Sequence, residues 1–269
     1  MKVQEIMVKS CITKSKLTDY VINPYTGCQH GCAYCYADFI RKFQNIPEKW
    51  GEFVYAKINC PDLLKEELHK KKPGHIWISS VCDAYMPVEV KYKLTRKILK
   101  IINHSQYKNK FTYDILTKSD LVKRDFDLLS DLNAQLGCSI NTLDIHVAKI
   151  IEPFASSPIE RIRVLKDGQK ENLKVYGFIS PVLPGITNLE ELFRELNFCE
   201  YVWVELLNTR RSIMQRFMPF IRRFFPNKVD DLLFSIDHPK EYYNLVESQV
   251  KDLEKKYRLK VRQIVNHGK

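Results

Sequence analysis

The feature that most restricts the fold is an alternation of two kinds of segment. Runs rich in β-branched and aromatic residues, mostly apolar on both faces, alternate with stretches whose apolar residues recur at helical spacing. The predicted strands are 53–58 (FVYAKI), 76–81 (IWISSV), 111–117 (FTYDILT), 135–140 (QLGCSI), 174–179 (KVYGFI) and 201–206 (YVWVEL), with a weaker one at 19–23. A strand that is apolar on both faces is covered on both sides, which is the usual condition of a parallel sheet. Between the runs, 61–71 carries Leu63, Leu64 and Leu68 behind an early proline, and 90–102 carries Leu94, Ile98 and Ile101 on one face, both helix patterns. Ser119 stands where a cap is expected for a helix toward Leu132, and Asn188 for one over 189–196. Strand and helix alternating about every 25–35 residues is the mark of βαβ units. The predicted fold is α/β: a partial (β/α)6 TIM-type barrel over residues 1–207. The pattern changes after Asn208, with a basic, aromatic stretch at 209–225, an amphipathic helix at 239–257 and a short apolar end at 259–265. Residues 208–269 are therefore expected as a C-terminal helical extension packed on the barrel.

Composition narrows the class. Of 269 residues, 45% are hydrophobic and 28% charged, which excludes a disordered or collagen-like chain. No apolar run approaches the roughly 18–20 residues that cross a bilayer. The N-terminus MKVQEIMVKSCITKS has no long apolar core of a secretory signal, so a cytoplasmic protein is expected. In that compartment eight cysteines point to metal binding or free thiols rather than disulfides. Cys11, Cys60, Cys82, Cys138 and Cys199 are scattered singly and are expected as small buried thiols.

The other three lie in one short loop, Asn23-Pro24-Tyr25-Thr26-Gly27-Cys28-Gln29-His30-Gly31-Cys32-Ala33-Tyr34-Cys35-Tyr36-Ala37. The spacing C-x3-C-x2-C lets three thiolates converge on one metal site, and the loop is too short to bury them separately. Iron–sulfur clusters are held by cysteine thiolates. Three ligands leave one iron of a four-iron cube open for a substrate or cofactor. Zinc in a closed structural site needs four ligands, and His30 is near enough in sequence to be the fourth. Polar residues at the strand ends (Asn59, Ser80, Asp83, Lys118, Ser119, Ser139, Asn141, Ser180, Glu205 and Asn208) should share one face with that loop, as they do in parallel barrels.

C-x3-C-x2-C with an aromatic before the third cysteine resembles the signature of the radical S-adenosylmethionine (SAM) superfamily. The longer string NPYTGCQHGCAYCYA, followed in order by SSVCDAYMPVE, ILTKS, GCSINTLD, EPFASSPIERI and ISPVLPGITN, resembles the spore photoproduct lyase branch over about residues 20–207. The resemblance implies a [4Fe-4S] cluster on Cys28, Cys32 and Cys35 that binds SAM through its amino and carboxylate groups. It also implies reductive cleavage to a 5′-deoxyadenosyl radical, which abstracts hydrogen from a substrate. A small electron-transfer protein of flavodoxin or ferredoxin type would be the reductant. The protein's share of such chemistry is binding, orientation and exclusion of water.

By the same resemblance, Tyr34 would lie beside the adenine and Asp83 would bond a ribose hydroxyl. Lys118 would face the methionine carboxylate, helped by Ser139 or Asn141. Glu152 and Arg161 are expected as a buried pair, and Pro184-Gly185 as a type II turn. The branch's namesake carries a hydrogen-donating cysteine shortly before the Asp; here that position falls on Ser80. Cys82, two residues on and on the same strand face by alternation, is the candidate catalytic thiol. Repair of a thymine dimer is not expected of this chain.

Net charge is +11, which favours an anionic partner, nucleic acid or a nucleotide first. Within 210–223 arginines interleave with Phe217 and Phe220, and Phe224 and Phe225 follow. Such a segment stacks bases, or it is an amphipathic helix with aromatics turned to the barrel and arginines solvated. The readings are thus a radical SAM enzyme on an unidentified substrate, a radical modifier of a peptide or small metabolite, or a zinc-stabilised nucleic-acid-binding module.

Overall fold

The computed structural model describes residues 1–267. Its strands are β1 (Lys2–Ile6), β2 (Ile12–Lys14), β3 (Tyr20–Ile22), β4 (Tyr25–Thr26), β5 (Phe53–Lys57), β6 (Gly74–Ile78), β7 (Phe111–Thr117), β8 (Gln135–Ser139), β9 (Lys174–Val182), β10 (Tyr201–Leu206) and β11 (Val261–Val265). The larger sheet has the order β11-β10-β9-β8-β7-β6-β3-β2. β3 and β6 to β10 are six consecutive parallel neighbours. β2 is antiparallel at one edge, β11 is parallel at the other, and the two edges do not meet. The architecture is the expected α/β partial barrel, open rather than closed.

Side-chain alternation gives the sheet two different faces. Ile76, Ile78, Ile115, Leu136, Val175, Ile179, Val202 and Val204 enter the main apolar core beneath the helices. Their neighbours Trp77, Leu116, Phe178 and Trp203 are half-buried and belong to none of the three apolar cores. They line the concave face.

Two strand assignments change. The 53–58 run joins β1 and β4 in a separate three-stranded sheet, and its barrel place is taken by β3, the weaker prediction. β5 is buried on most of both faces, so its composition is that of a central barrel strand. β3 has only three residues to show a pattern. Asn59 is accordingly away from the strand ends, where its amide brackets the Val8 backbone at 2.9 and 2.8 Å. β6 stops at Ile78 because Ser79 turns into left-handed backbone at φ 68°. The alternation that placed Cys82 on one face with Ser80 therefore does not hold; both lie in a loop.

The caps are as expected. Ser119 accepts from the Leu121 amide, although a 3-10 turn, Asp120–Asp125, precedes the helix Phe126–Asp131. Asn188 accepts from Glu191 at the start of Leu189–Leu196. Leu183, Pro184, Gly185 and Ile186 form the expected turn, with Gly185 at φ 69° and the Ile186 amide on the Leu183 carbonyl. Cys11 and Cys60 are joined as a disulfide across 49 residues, so these two are not the free thiols expected; nothing in their spacing announces it. After Asn208 come the helices Arg211–Phe224, Val229–Asp237 and Pro239–Tyr257, and then β11 returns to the sheet.

Candidate active site

The cysteine loop follows β3 and β4 at the C-terminal mouth of the parallel strands. Two glycines let it lie against the small sheet. Gly27 is at φ 88°, and a Cβ there would stand 2.5 Å from the Phe53 carbonyl oxygen. Gly31 is at φ 62°, close enough to Gly51 that a Cβ on Gly51 would stand 2.9 Å from the Gly31 Cα. Cys28 and Cys32 are buried, Cys35 is half-buried, and the Cys35 amide bonds the Cys32 carbonyl at 3.2 Å. Burial pushes all three thiols above the ordinary thiol range, with Asp83 adding to the effect on Cys28 and Glu152 to that on Cys32. A cationic centre reverses that balance by replacing the protons. Among the described residues, no group of three or more His, Cys, Asp or Glu side chains is set to hold a metal ion. A single zinc needs its sulfurs drawn close around one atom, whereas in a cube each thiolate binds a different iron. Three cysteine thiols are the donor set that such a cluster takes.

His30 is not the fourth ligand of a zinc knuckle. Its ring is buried, with Nδ1 2.9 Å from the Phe154 carbonyl and Nε2 3.2 Å from Asp83 Oδ2, a contact too bent for a good hydrogen bond. Asp83 Oδ1 accepts from the Tyr85 amide (2.8 Å) and the Thr117 hydroxyl (2.7 Å), and Oδ2 from the Lys118 amide (2.7 Å). Burial raises the Asp83 carboxyl, but His30 and these donors outweigh it and hold the group at about 2. His30 stands beside Oδ2 as a further, poorly aligned contact. Asp83 is thus a node that ties the cysteine loop to the ends of β6 and β7.

The other expected residues come together. Lys118 Nζ donates to Ser139 Oγ at 2.6 Å and stands 3.8 Å from Glu152 Oε1, above the Tyr34 ring. Asn141 Nδ2 donates to the Tyr34 hydroxyl (3.0 Å) and to Glu152 Oε1 (3.2 Å). The Tyr34 hydroxyl in turn donates to Glu152, which is ion-paired with Arg161. Burial raises the Glu152 carboxyl, yet Arg161 and Lys118 prevail and hold it below its ordinary value. One buried carboxylate thus organises Tyr34, Lys118, Asn141 and Arg161 beside Cys32.

Cys82 stands apart. Its thiol is 3.8 Å from Asn23 Oδ1 and 3.5 Å from Ser79 Oγ, packs against the small core of Tyr25, Val54 and Met86, and is pushed up to about 11 by burial. Two residues, His267 and Arg216, escaped the sequence. At the end of β10, Glu205 accepts from Ser180 and is 2.8 Å from His267 Nε2. Glu205 and Ser180 were legible as strand ends; His267 carried no signal. Arg216 reaches the cysteine loop from the C-terminal helix, and its motif suggested a solvated face.

An open parallel barrel with three cysteines on the loop after its first strand defines a class of iron–sulfur enzyme folds. The chain belongs to the radical SAM superfamily, whose family model matches residues 22–196. Members use a [4Fe-4S] cluster and SAM, and the chain is an enzyme of that family. The Methanocaldococcus jannaschii protein MJ0683 is 38% identical over 234 residues, 86% of each chain. The Mycobacterium bovis protein Mb2609c is 24% identical, over 95% of this chain and 81% of its own length. A spore photoproduct lyase variant with a dinucleoside spore photoproduct shares the fold at TM-score 0.62 and 17% identity, covering 84% of this chain and 67% of that one. Streptococcus suis SuiB bound to the precursor peptide SuiA shares it at TM-score 0.56 and 14% identity, over 91% of this chain and 48% of that one. Among the described residues, no helix is long and apolar enough to cross a membrane.

Proposed function

We propose that this chain holds a four-iron cluster on Cys28, Cys32 and Cys35 and binds SAM at the open iron, for hydrogen abstraction from a substrate on the concave face of the barrel. The observation that carries this reading is the placing of three thiols, two buried and one half-buried, on one loop at the strand mouth, with Lys118, Ser139 and Asn141 gathered beside them. When bound and reduced, the cluster supplies the electron that cleaves SAM. Lys118 supplies a cation for the SAM carboxylate, with Ser139 fixing its position. Asn141 and Glu152 fix the Tyr34 hydroxyl, which leaves the ring of Tyr34 to shape the nucleoside side of the site. The half-buried Trp77, Leu116, Phe178 and Trp203 supply apolar walls that exclude water from a radical reaction, and Ser180 and Glu205 give their rim polar groups.

No step is assigned to Cys82, because its thiol is turned to Asn23, Ser79 and the small-sheet core. The segment 210–223 does not support base stacking, because Phe217 is buried against Tyr34 and Phe220 packs in the same core. For anaerobically reconstituted protein given dithionite and SAM, we expect 5′-deoxyadenosine by chromatography and none from Cys32→Ala. Nucleoside release that persists in Cys32→Ala would remove Cys32 from the ligand set.

A further inference from the structure

The family match stops at residue 196, but the helix Arg211–Phe224 lies on the cysteine loop. Its buried side, Ile213, Phe217 and Ile221, shares one apolar core with Cys32 and Tyr34. Phe217 meets the Tyr34 ring edge-on at 6.4 Å. One residue away, the half-buried Arg216 reaches the cysteine loop. Its Nε donates to the Ala33 carbonyl at 3.1 Å, its Nη2 donates to the Cys35 carbonyl at 2.6 Å, and its Nη1 lies 2.9 Å from Asp38 Oδ2. A guanidinium is planar and presents its donors in a rigid fork, which a lysine ammonium cannot copy. The two carbonyls flank Tyr34 and belong to the turn between the second and third cysteines. Fixing both at once fixes the directions of Cys32 and Cys35.

We propose that Arg216 is a positioning residue for the cluster, so that the segment beyond the family match completes the metal site. This rests on Cys28, Cys32 and Cys35 being the ligands. Arg216 locks the 33–35 backbone, and its charge beside the third ligand favours the reduced cluster. Reduction adds one electron and no proton, so the cluster gains one negative charge; net charge and hydrogen bonding near the sulfurs set the potential. The other charges around the loop include Asp83 near Cys28, Asp38, shared by Arg216 and Arg41 at 2.9 and 3.1 Å, and the Lys118, Glu152 and Arg161 group beside Cys32. Loss of Arg216 leaves this surrounding one unit more negative, and reduction becomes harder.

The test compares reconstituted wild type, Arg216→Lys and Arg216→Gln, with Arg223→Gln, an exposed arginine of the same helix, as control. Iron release to a chelator and the cluster midpoint potential are measured, with circular dichroism to follow folding. Arg216→Gln should release iron about 10-fold faster or more, the usual range for a residue that orients metal ligands, and its potential should move negative. Arg216→Lys keeps the charge without the fork: its potential should stay near wild type while release quickens. Arg223→Gln should match wild type. Wild-type release from Arg216→Lys overturns the fork, even if Arg216→Gln does not fold. An unshifted potential in Arg216→Gln overturns the electrostatic part. Wild-type protein that takes up no iron overturns the ligand reading instead.

Discussion

Arg161 is only 1% exposed, and its charge is met by Glu152, itself 1% exposed. The guanidinium also donates to the carbonyls of Ser139 and Ser156, each at 2.8 Å. Breaking a buried pair by removing one partner strands the other charge, at a cost of about 3–5 kcal/mol. We expect Glu152→Gln to lose stability in that range by denaturant titration, because Arg161 cannot reach water; a loss below about 1 kcal/mol would show that the pair is not desolvated. At this scale the sequence was readable where the chemistry is local. Cys28, Cys32 and Cys35 declare themselves by spacing, and Lys118, Ser139 and Asn141 by standing at strand ends. Arg216 and Cys35 are 181 residues apart, and no periodicity links them. Asp83 was legible as a carboxylate near the strand ends, but its contacts with His30, Thr117 and two backbone amides are assembled only by folding.

Among the strands, the floor of the concave face shows how one glycine shapes three neighbours. A Cβ on Gly137 in β8 would fall 2.2 Å from Tyr176 Cζ. Its absence lets the β9 tyrosine lie across β8 and donate to Asp114 in β7 at 2.7 Å. Tyr201 stacks on Tyr176 at 5.1 Å, and Arg262 of β11 covers Tyr201 at 4.9 Å. Burial raises the Asp114 carboxyl from an ordinary 3.8 to about 7, against the opposing pull of Tyr176 and Arg262. A raised carboxyl favours the protonated folded chain. Its contribution is therefore full below the unfolded value near 4 and is lost as pH rises through about 7. Asp114→Asn removes that loss, so we expect the variant to gain stability over wild type at about pH 8 and little at about pH 4. An equal difference at both would show that Asp114 is ionised throughout. Pattern found β7 to β10 because each has five or more residues, in runs that for β7, β9 and β10 are rich in β-branched and aromatic side chains. It exchanged β3 and β5 because burial on both faces is common to a barrel strand and to the middle of a small covered sheet.

For the molecule as a whole, the open barrel was legible from the strand–helix rhythm, but the closure of the site was not. Helix 211–224 reads as basic and aromatic, and its composition alone suits a nucleic-acid surface. Packing decides otherwise for Phe217 and Phe220: Phe217 is 1% exposed, and both join the core that holds Cys32, whereas Phe224 stays exposed. What remains of the anionic-partner reading is the net charge of +11, a statement about the field around the protein and not about its site. The barrel mouth, the cysteine loop and the helix Arg211–Phe224 thus pack together. The most direct measurement is the metal content of protein purified and reconstituted without oxygen. We expect about four irons per chain, with none retained once Cys28, Cys32 and Cys35 are all replaced by Ala. Stoichiometric zinc with no iron, or full iron in the triple variant, would contradict a cluster on this loop.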